Sequence, residues 1–241
     1  MNNIFSPESL ANTFKILQAT LLINIWETLY STILASVFAY IIGLPLGVIL
    51  VVGEEGGVRP LPAFLMKTLN FIINILRSVP FLILMMMVVP LARAIIGTSI
   101  GTRALIIPLV IAAFPYIARL IESSLRETDR GVIEAASSMG ATPFQIIWKV
   151  MLSESLPSLI SGATIALTTI MGYGAMAGFL GGGGLGQTSI TYGYHRKEYL
   201  VMIITVAILV ILVQLFQSLG TRLTVKSDKR INETKIRRKK Q

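Results

Sequence analysis

The sequence predicts an all-α polytopic membrane protein. Three observations carry that fold class. Hydrophobic residues make up 54% of the 241-residue chain and charged residues only 14%, against roughly 25% charged in soluble domains. Mean hydropathy is +0.74. Five apolar stretches each reach the roughly 20 residues that an α-helix needs to cross a hydrocarbon core.

The first stretch runs from about Thr28 to Val52 and stops at GEEGGVRP. The second covers about Phe71 to Leu91, the third Ile100 to Ile121, the fourth Leu159 to Leu180 and the fifth Tyr199 to Leu219. Residues 8–25 carry Lys15 and lie beside Glu27, so they are expected as an interfacial helix or as an extension of the first span. The chain thereby divides into an N-terminal extension at 1–27, a membrane domain at 28–221 with a long loop at 122–158, and a basic tail at 222–241. MNNIFSPESL lacks the basic region and cleavage site of a signal peptide, so the first span is expected in the mature protein.

Charge placement sets the expected orientation. With the N-terminus outside, the inner loops hold Arg59, Lys67, Arg126, Arg130 and Lys149, while the outer ones hold Arg93, Arg196 and Lys197, with Arg103 at a margin. The bias is slight but favours N-out, C-in in an inner membrane. Nine of the 21 Lys and Arg residues fall between Arg222 and Lys240. A basic tail after an apolar span reads as facing anionic lipid rather than nucleic acid, although net charge is +9. The absence of cysteine excludes disulfides and thiol chemistry, and a single histidine, His195, speaks against a histidine-based metal site. Prolines 45, 80, 90, 108, 115 and 157 are expected to bend their helices.

One inner loop is unusually well specified. In EAASSMGATPFQIIWKV, residues 134–150, a helix is expected over Val132–Met139 with Glu134 in its first turn, where a carboxylate suits the helix dipole. Gly140 follows as the residue able to close a helix in the left-handed conformation. Thr142 as N-cap, Pro143 at the first helical position and Gln145 at the third form a capping box. Two short helices should meet at a sharp corner, with Phe144, Ile147 and Met151 on one face of the second. Such a loop serves either as a plain connection between spans or as a rigid knob for a soluble partner.

The same segment resembles the EAA motif of ABC importer permeases, and the likeness is not confined to it. WETL at 26, IGLPLGV at 42, NILRSVPF at 74, IGTSIG at 96, PYIARLIE at 115, MGATPFQI at 139, GYGAMAG at 172 and GGLGQ at 183 are similar to methionine-type ABC importer permeases. These motifs follow one another over about 26–220. Ser153 stands where that family usually has a proline. The resemblance implies a type I importer permease fold with coupling helices, and a homodimer with two separate ABC ATPase subunits. It also implies an extracytoplasmic substrate-binding protein and a small amino-acid substrate. Glu134, Ala135, Ala136, Gly140, Thr142 and Pro143 would then make the ATPase-coupling contact. No cofactor is expected on this chain, ATP and Mg²⁺ belonging to the partner; the subunit is then a transport component and not itself an enzyme.

The remaining candidates are weaker as chemistry. GGGGLGQT at 181–188 approaches a phosphate-binding loop, but Gln187 occupies the position where that loop needs lysine. Gly181, Gly182, Gly183 and Gly184 are better read as an irregular outer gate, or else as a flexible connection. In the fourth span Thr169, Tyr173 and Met176 share a face at i, i+4 and i+7, with Gly172, Gly174 and Gly178 beside them allowing close backbone approach. This stripe is either helix packing or the wall of a substrate path. Arg77, near Asn74 and Ser78, either snorkels to the interface or offers a positive group to a carboxylate in the cavity. All 12 acidic residues are expected at span ends, loops or termini, whereas proton- and sodium-coupled carriers place a carboxylate within the membrane. An ATP-independent channel or carrier is therefore the second reading, and a membrane-anchored interaction protein the third.

Overall fold

The computed structural model describes residues 6–228. Among them all regular structure is helical: α1 (Pro7–Val52), α2 (Ala63–Ser78), α3 (Phe81–Ile96), α4 (Thr102–Arg126), α5 (Arg130–Ser138), α6 (Pro143–Gln145), α7 (Leu152–Glu154), α8 (Leu156–Ala177), α9 (Gly184–Thr188) and α10 (Tyr199–Ser227). Two π-helical segments, Ile146–Met151 and Ser189–His195, and a 3₁₀ turn, Gly178–Leu180, join them. Among the described residues four helices are long and apolar enough to cross a membrane, and α2 and α3 reach that length only when counted together as one bent pair.

Two sequence expectations change here. Residues 8–25 run without a break into the first span, because nothing between Pro7 and Val52 stops the 46-residue helix. Pro45 lies inside it without interrupting it. In contrast, the second stretch is interrupted at Val79–Pro80, where Pro80 takes an extended conformation with φ −57° and ψ 135°. Proline removes an N–H and excludes the preceding residue from the helical region, so here the bend becomes a break. Of the expected tail, α10 includes residues up to Ser227, and 229–241 lie outside the described residues.

The chain forms two compact units. The first comprises the chain up to Phe38, Val79–Ala113 and Leu167–Phe216. Its buried side chains include Leu84, Met85, Leu105, Leu109, Ile170, Met171, Leu185 and Val201. α3 ends where Gly97 takes φ +84° and returns its N–H to the Arg93 carbonyl, a left-handed cap.

The second unit comprises Ala39–Ser78, Phe114–Ala166 and the chain from Gln217 on. Leu50, Met66, Ile73 and Ala118 form its core cluster, flanked by Leu46 and Leu69. α1 and α4 cross closely here because Gly47 has no side chain: a Cβ there would stand 2.6 Å from the Ala118 carbonyl oxygen. Along α10 the apolar residues Ile203, Val206, Val210, Ile211, Leu215, Leu219 and Leu223 are exposed, a surface suited to lipid or a partner helix.

Candidate functional site

The loop between α4 and α8 belongs wholly to the second unit. α5 begins at Arg130, two residues earlier than the sequence suggests, because the Asp129 carboxylate accepts from the Gly131 N–H at 2.6 Å. Glu134 therefore falls in the second turn, not the first. Met139 is the C-cap and Gly140 follows at φ +81°, its N–H bonded to the Ser137 carbonyl at 2.9 Å. The Ala141 N–H reaches the Ala136 carbonyl at 3.1 Å, so the corner is closed by two backbone bonds.

The capping box forms as expected. Thr142 Oγ1 accepts from the Gln145 N–H at 3.3 Å, and Gln145 Oε1 accepts from the Thr142 N–H at 2.9 Å. Beyond it the helix widens into the π segment Ile146–Met151. Bonding to the fifth residue brings Ile146 and Met151 onto one buried face. The expected grouping of Phe144 with Ile147 and Met151 does not hold. Phe144 instead stacks on Trp148, rings 6.4 Å apart and within 7° of parallel, and both are exposed. With Met139 at 87% exposure and Val132 also exposed, the loop presents apolar side chains to solvent on a hydrogen-bonded corner.

The base of this loop contains charged residues that the sequence reading passed over. Arg119 in α4 donates to Glu122 Oε2 at 2.6 Å, to Asn70 Oδ1 at 2.7 Å and to Asn74 Oδ1 at 2.9 Å. Glu122 also accepts from Arg126, at 2.9 and 3.2 Å, and Arg126 reaches Glu54 at 2.8 Å. α2, α4 and the turn after α1 are thus tied by one chain of charge-assisted bonds. Beside it, Ser158 in α8 donates to Ser124 and Glu127, each at 3.0 Å, while Thr128 and Ser155 hydroxyls lie 3.0 Å apart. A cavity of about 480 Å³ adjoins the network, walled by Leu50, Leu61, Met66 and Lys67 together with Glu54 and Arg126. Arg119, Glu122 and Arg126 stand at i, i+3 and i+7, and Asn70 and Asn74 at i, i+4; that spacing was the available signal. Arg77, by comparison, is exposed in the last turn of α2.

The other candidates lie in the first unit. Tyr173 on α8 stacks face to face on Phe81, the first residue after the break in the second span, with centroids 4.5 Å apart and planes within 6°. Thr169 is half-buried on the same face and Met176 is exposed. Of the three glycines where close approach is expected, Gly178 makes it, since a Cβ there would collide with the backbone of Gly186 and Gln187. At Gly172 and Gly174 a Cβ would meet only open space among the described residues.

The glycine run 181–184 is an ordered turn. Gly181, Gly183 and Gly184 have φ of +80°, +81° and +69°, values that only glycine adopts freely. The Gln187 side chain, in the position a phosphate-binding lysine would hold, accepts from the Gly183 N–H at 2.7 Å. The Gly101 N–H donates to the Gly181 carbonyl at 2.9 Å, and α9 starts directly after the turn. Among the described residues, no group of three or more His, Cys, Asp or Glu is arranged to hold a metal ion.

Comparison with known proteins follows these features. The chain is 48% identical over 226 residues to the probable D-methionine transport system permease protein MetI of Vibrio cholerae, covering 93% of this chain and all of that one. It is 48% identical over 155 residues to the D-methionine transport system permease protein MetI of Escherichia coli K12, covering 64% and 71%. A chain from an inward-facing crystal structure of the MetNI methionine ABC transporter matches with a TM-score of 0.86 and 45% identity, over 88% of this chain and 98% of that one. Residues 43–231 match the model of one transport family, and the chain belongs to that family, the inner membrane components of binding-protein-dependent transport systems.

Proposed function

We propose that this chain is the membrane-spanning subunit of an ATP-driven ABC importer for methionine. The observation that carries this reading is the exposed, hydrogen-bonded corner at Gly140 within a chain 45% identical to a subunit of the MetNI methionine ABC transporter. The subunit itself performs no hydrolysis: ATP and Mg²⁺ bind the partner ATPase.

In this reading two ATPase subunits dock on the loop formed by α5 and α6, through Glu134, Ala135, Ala136, Gly140, Thr142 and Pro143. An external binding protein delivers the substrate. Two copies of the chain enclose the path, because a single five-span chain supplies half of a two-fold conduit. The open space beside Gly172 and Gly174, and the exposure of Met176 and Ile165 on α8, leave a face for that second copy. Closure of the ATPases on ATP turns the coupling loop. The network of Arg119, Glu122, Arg126 and Glu54 carries that turn into α4, α2 and α1, and hydrolysis resets it. Tyr173, Met176 and Thr169 line the path, Arg77 supplies a positive group for the substrate carboxylate, and Gly181–Gly184 gate it. The N-terminus lies outside, with the C-terminus and the coupling loop inside.

The test is uptake of labelled methionine into proteoliposomes containing this chain, its ATPase and its binding protein. Uptake that requires ATP supports the assignment. An intact complex that hydrolyses ATP but moves only another amino acid refutes the substrate, and failure of any ATPase to associate refutes the importer.

A further inference from the structure

The glycine turn is secured less by its own residues than by one face of α1. Asn24, Glu27 and Thr28 stand at i, i+3 and i+4 and so project together. Glu27 Oε2 accepts from the Gly184 N–H at 2.7 Å, and Thr28 Oγ1 accepts from the Leu185 N–H at 2.9 Å. These are the first N–H groups of α9, which have no partner within the helix. Asn24 Nδ2 donates to Thr188 Oγ1 at 2.6 Å, closing the third point one turn further on.

The two hydroxyl acceptors are each held in place by a second bond. The Thr28 hydroxyl donates to the Asn24 carbonyl at 2.8 Å, leaving its lone pairs for Leu185, and the Thr188 hydroxyl donates to the Gly184 carbonyl at 3.3 Å. Asn24, Thr28 and Thr188 are all buried. There is no slack, since a Cβ on Gly183 or Gly184 would collide with Thr102, Glu27 or Thr28. The Thr102 hydroxyl, also buried, has no hydrogen-bond partner and borders Gly183 together with the Glu27 carboxylate. A buried hydroxyl left unpaired is unfavourable, and it marks a second place for that carboxylate to bond.

We infer that Asn24, Glu27 and Thr28 form a three-point latch on the glycine turn, and that opening the gate exchanges the Glu27–Gly184 bond for one from the Thr102 hydroxyl. These are positioning residues: they act through the turn and need touch no substrate. The inference rests on the reading of Gly181–Gly184 as a gate.

The chain has no cysteine, so an introduced thiol is its single labelling site, read on this chain after the subunits are separated by electrophoresis. Leu185→Cys replaces a fully buried residue within the latched turn. Its labelling by a membrane-impermeant maleimide is followed in the full complex in proteoliposomes, with ATP present. Glu27→Ala and Thr28→Val should each speed labelling roughly tenfold, the effect of losing one helix cap. Glu27→Gln and Thr28→Ser, which keep an acceptor oxygen, should stay within about threefold of the parent. Thr102→Val should slow labelling, an opposite sign that general loosening does not produce. Unchanged labelling in both Glu27→Ala and Thr28→Val, or faster labelling in Thr102→Val, would overturn the latch. Methionine uptake by the unsubstituted complex is measured alongside. Its absence refutes the importer while labelling still reads the latch, and normal uptake with unchanged labelling refutes the latch alone.

Discussion

Gly140 offers a quantitative test of the coupling corner. Its φ is +81°, and a Cβ built on it meets nothing within 4 Å, so within this chain an added side chain costs backbone strain and no collision. An L-residue in that conformation costs about 1–2 kcal/mol. The loop has little with which to resist, because neither α5 nor α6 buries a residue and short helices are marginal without packing. Most of the strain should therefore appear as a smaller fraction of loops holding the corner. Gly140→Ala should then weaken ATPase binding about 5- to 30-fold, since apparent affinity falls with the competent fraction. Gly140→Asn should lose less than about threefold, because asparagine tolerates the left-handed region, and Gly140→Val should lose more than alanine. The assay is titration of detergent-solubilised permease with the ATPase, with ATP-dependent uptake as the functional readout. Asparagine proving as damaging as valine would refute the conformational argument and leave side-chain clash with the partner as the cause.

Three further outcomes follow from the same geometry. Glu122→Ala leaves Arg119, at 20% exposure, with only the neutral Asn70 and Asn74 for partners, while Arg126 keeps Glu54. The complex should lose about 3 kcal/mol, and Arg119→Met combined with it should cost less than the two single changes added; thermal unfolding in detergent measures both. Replacing Phe144 and Trp148 with alanine should leave the permease's own unfolding temperature unchanged, since both rings are exposed, while weakening ATPase binding at least tenfold in a pull-down titration. Tyr173→Ala with Met176→Ala should reduce methionine uptake several-fold at unchanged ATPase binding, and full uptake in that variant would remove the stripe from the path.

What the sequence disclosed was local. The capping box at Thr142 and the left-handed Gly140 were legible because each is fixed by side chains and backbone within a few residues. The four unbroken spans were legible from apolar length alone. Pro80 looked like the other prolines, yet it breaks its helix while Pro45 and Pro90 lie inside theirs; surrounding packing decides between bend and break. The π segment after Gln145 carries no marker residue, and its wider turn moved Phe144 away from the buried face that a regular helix predicts. Glu27 and Gly184 are 157 residues apart, a separation that no local rule bridges. Glu27 and Glu122 each adjoin the end of an apolar stretch, yet the helices that hold them run on past both.

Those two carboxylates bear on the energy source. Carriers that use ion gradients place a carboxylate within the membrane, where it changes partners during transport. Glu122 lies between Arg119 and Arg126, with bonds of 2.6 to 3.2 Å to both. Its partners are cations of the same helix, which move with it, so the pairing is suited to holding α4 together. Glu27 is bound to the Gly184 N–H, and its proposed exchange to the Thr102 hydroxyl swaps one donor of the protein for another, a step that needs neither a proton nor a sodium ion. In the proposed importer Glu27 and Glu122 therefore hold structure, and work reaches the path through the Gly140 corner. Uptake in proteoliposomes supplied with internal ATP should accordingly persist when a protonophore and a sodium ionophore abolish both gradients. A loss of uptake at constant ATP hydrolysis would reverse the argument and make Glu27 and Glu122 the first residues to replace.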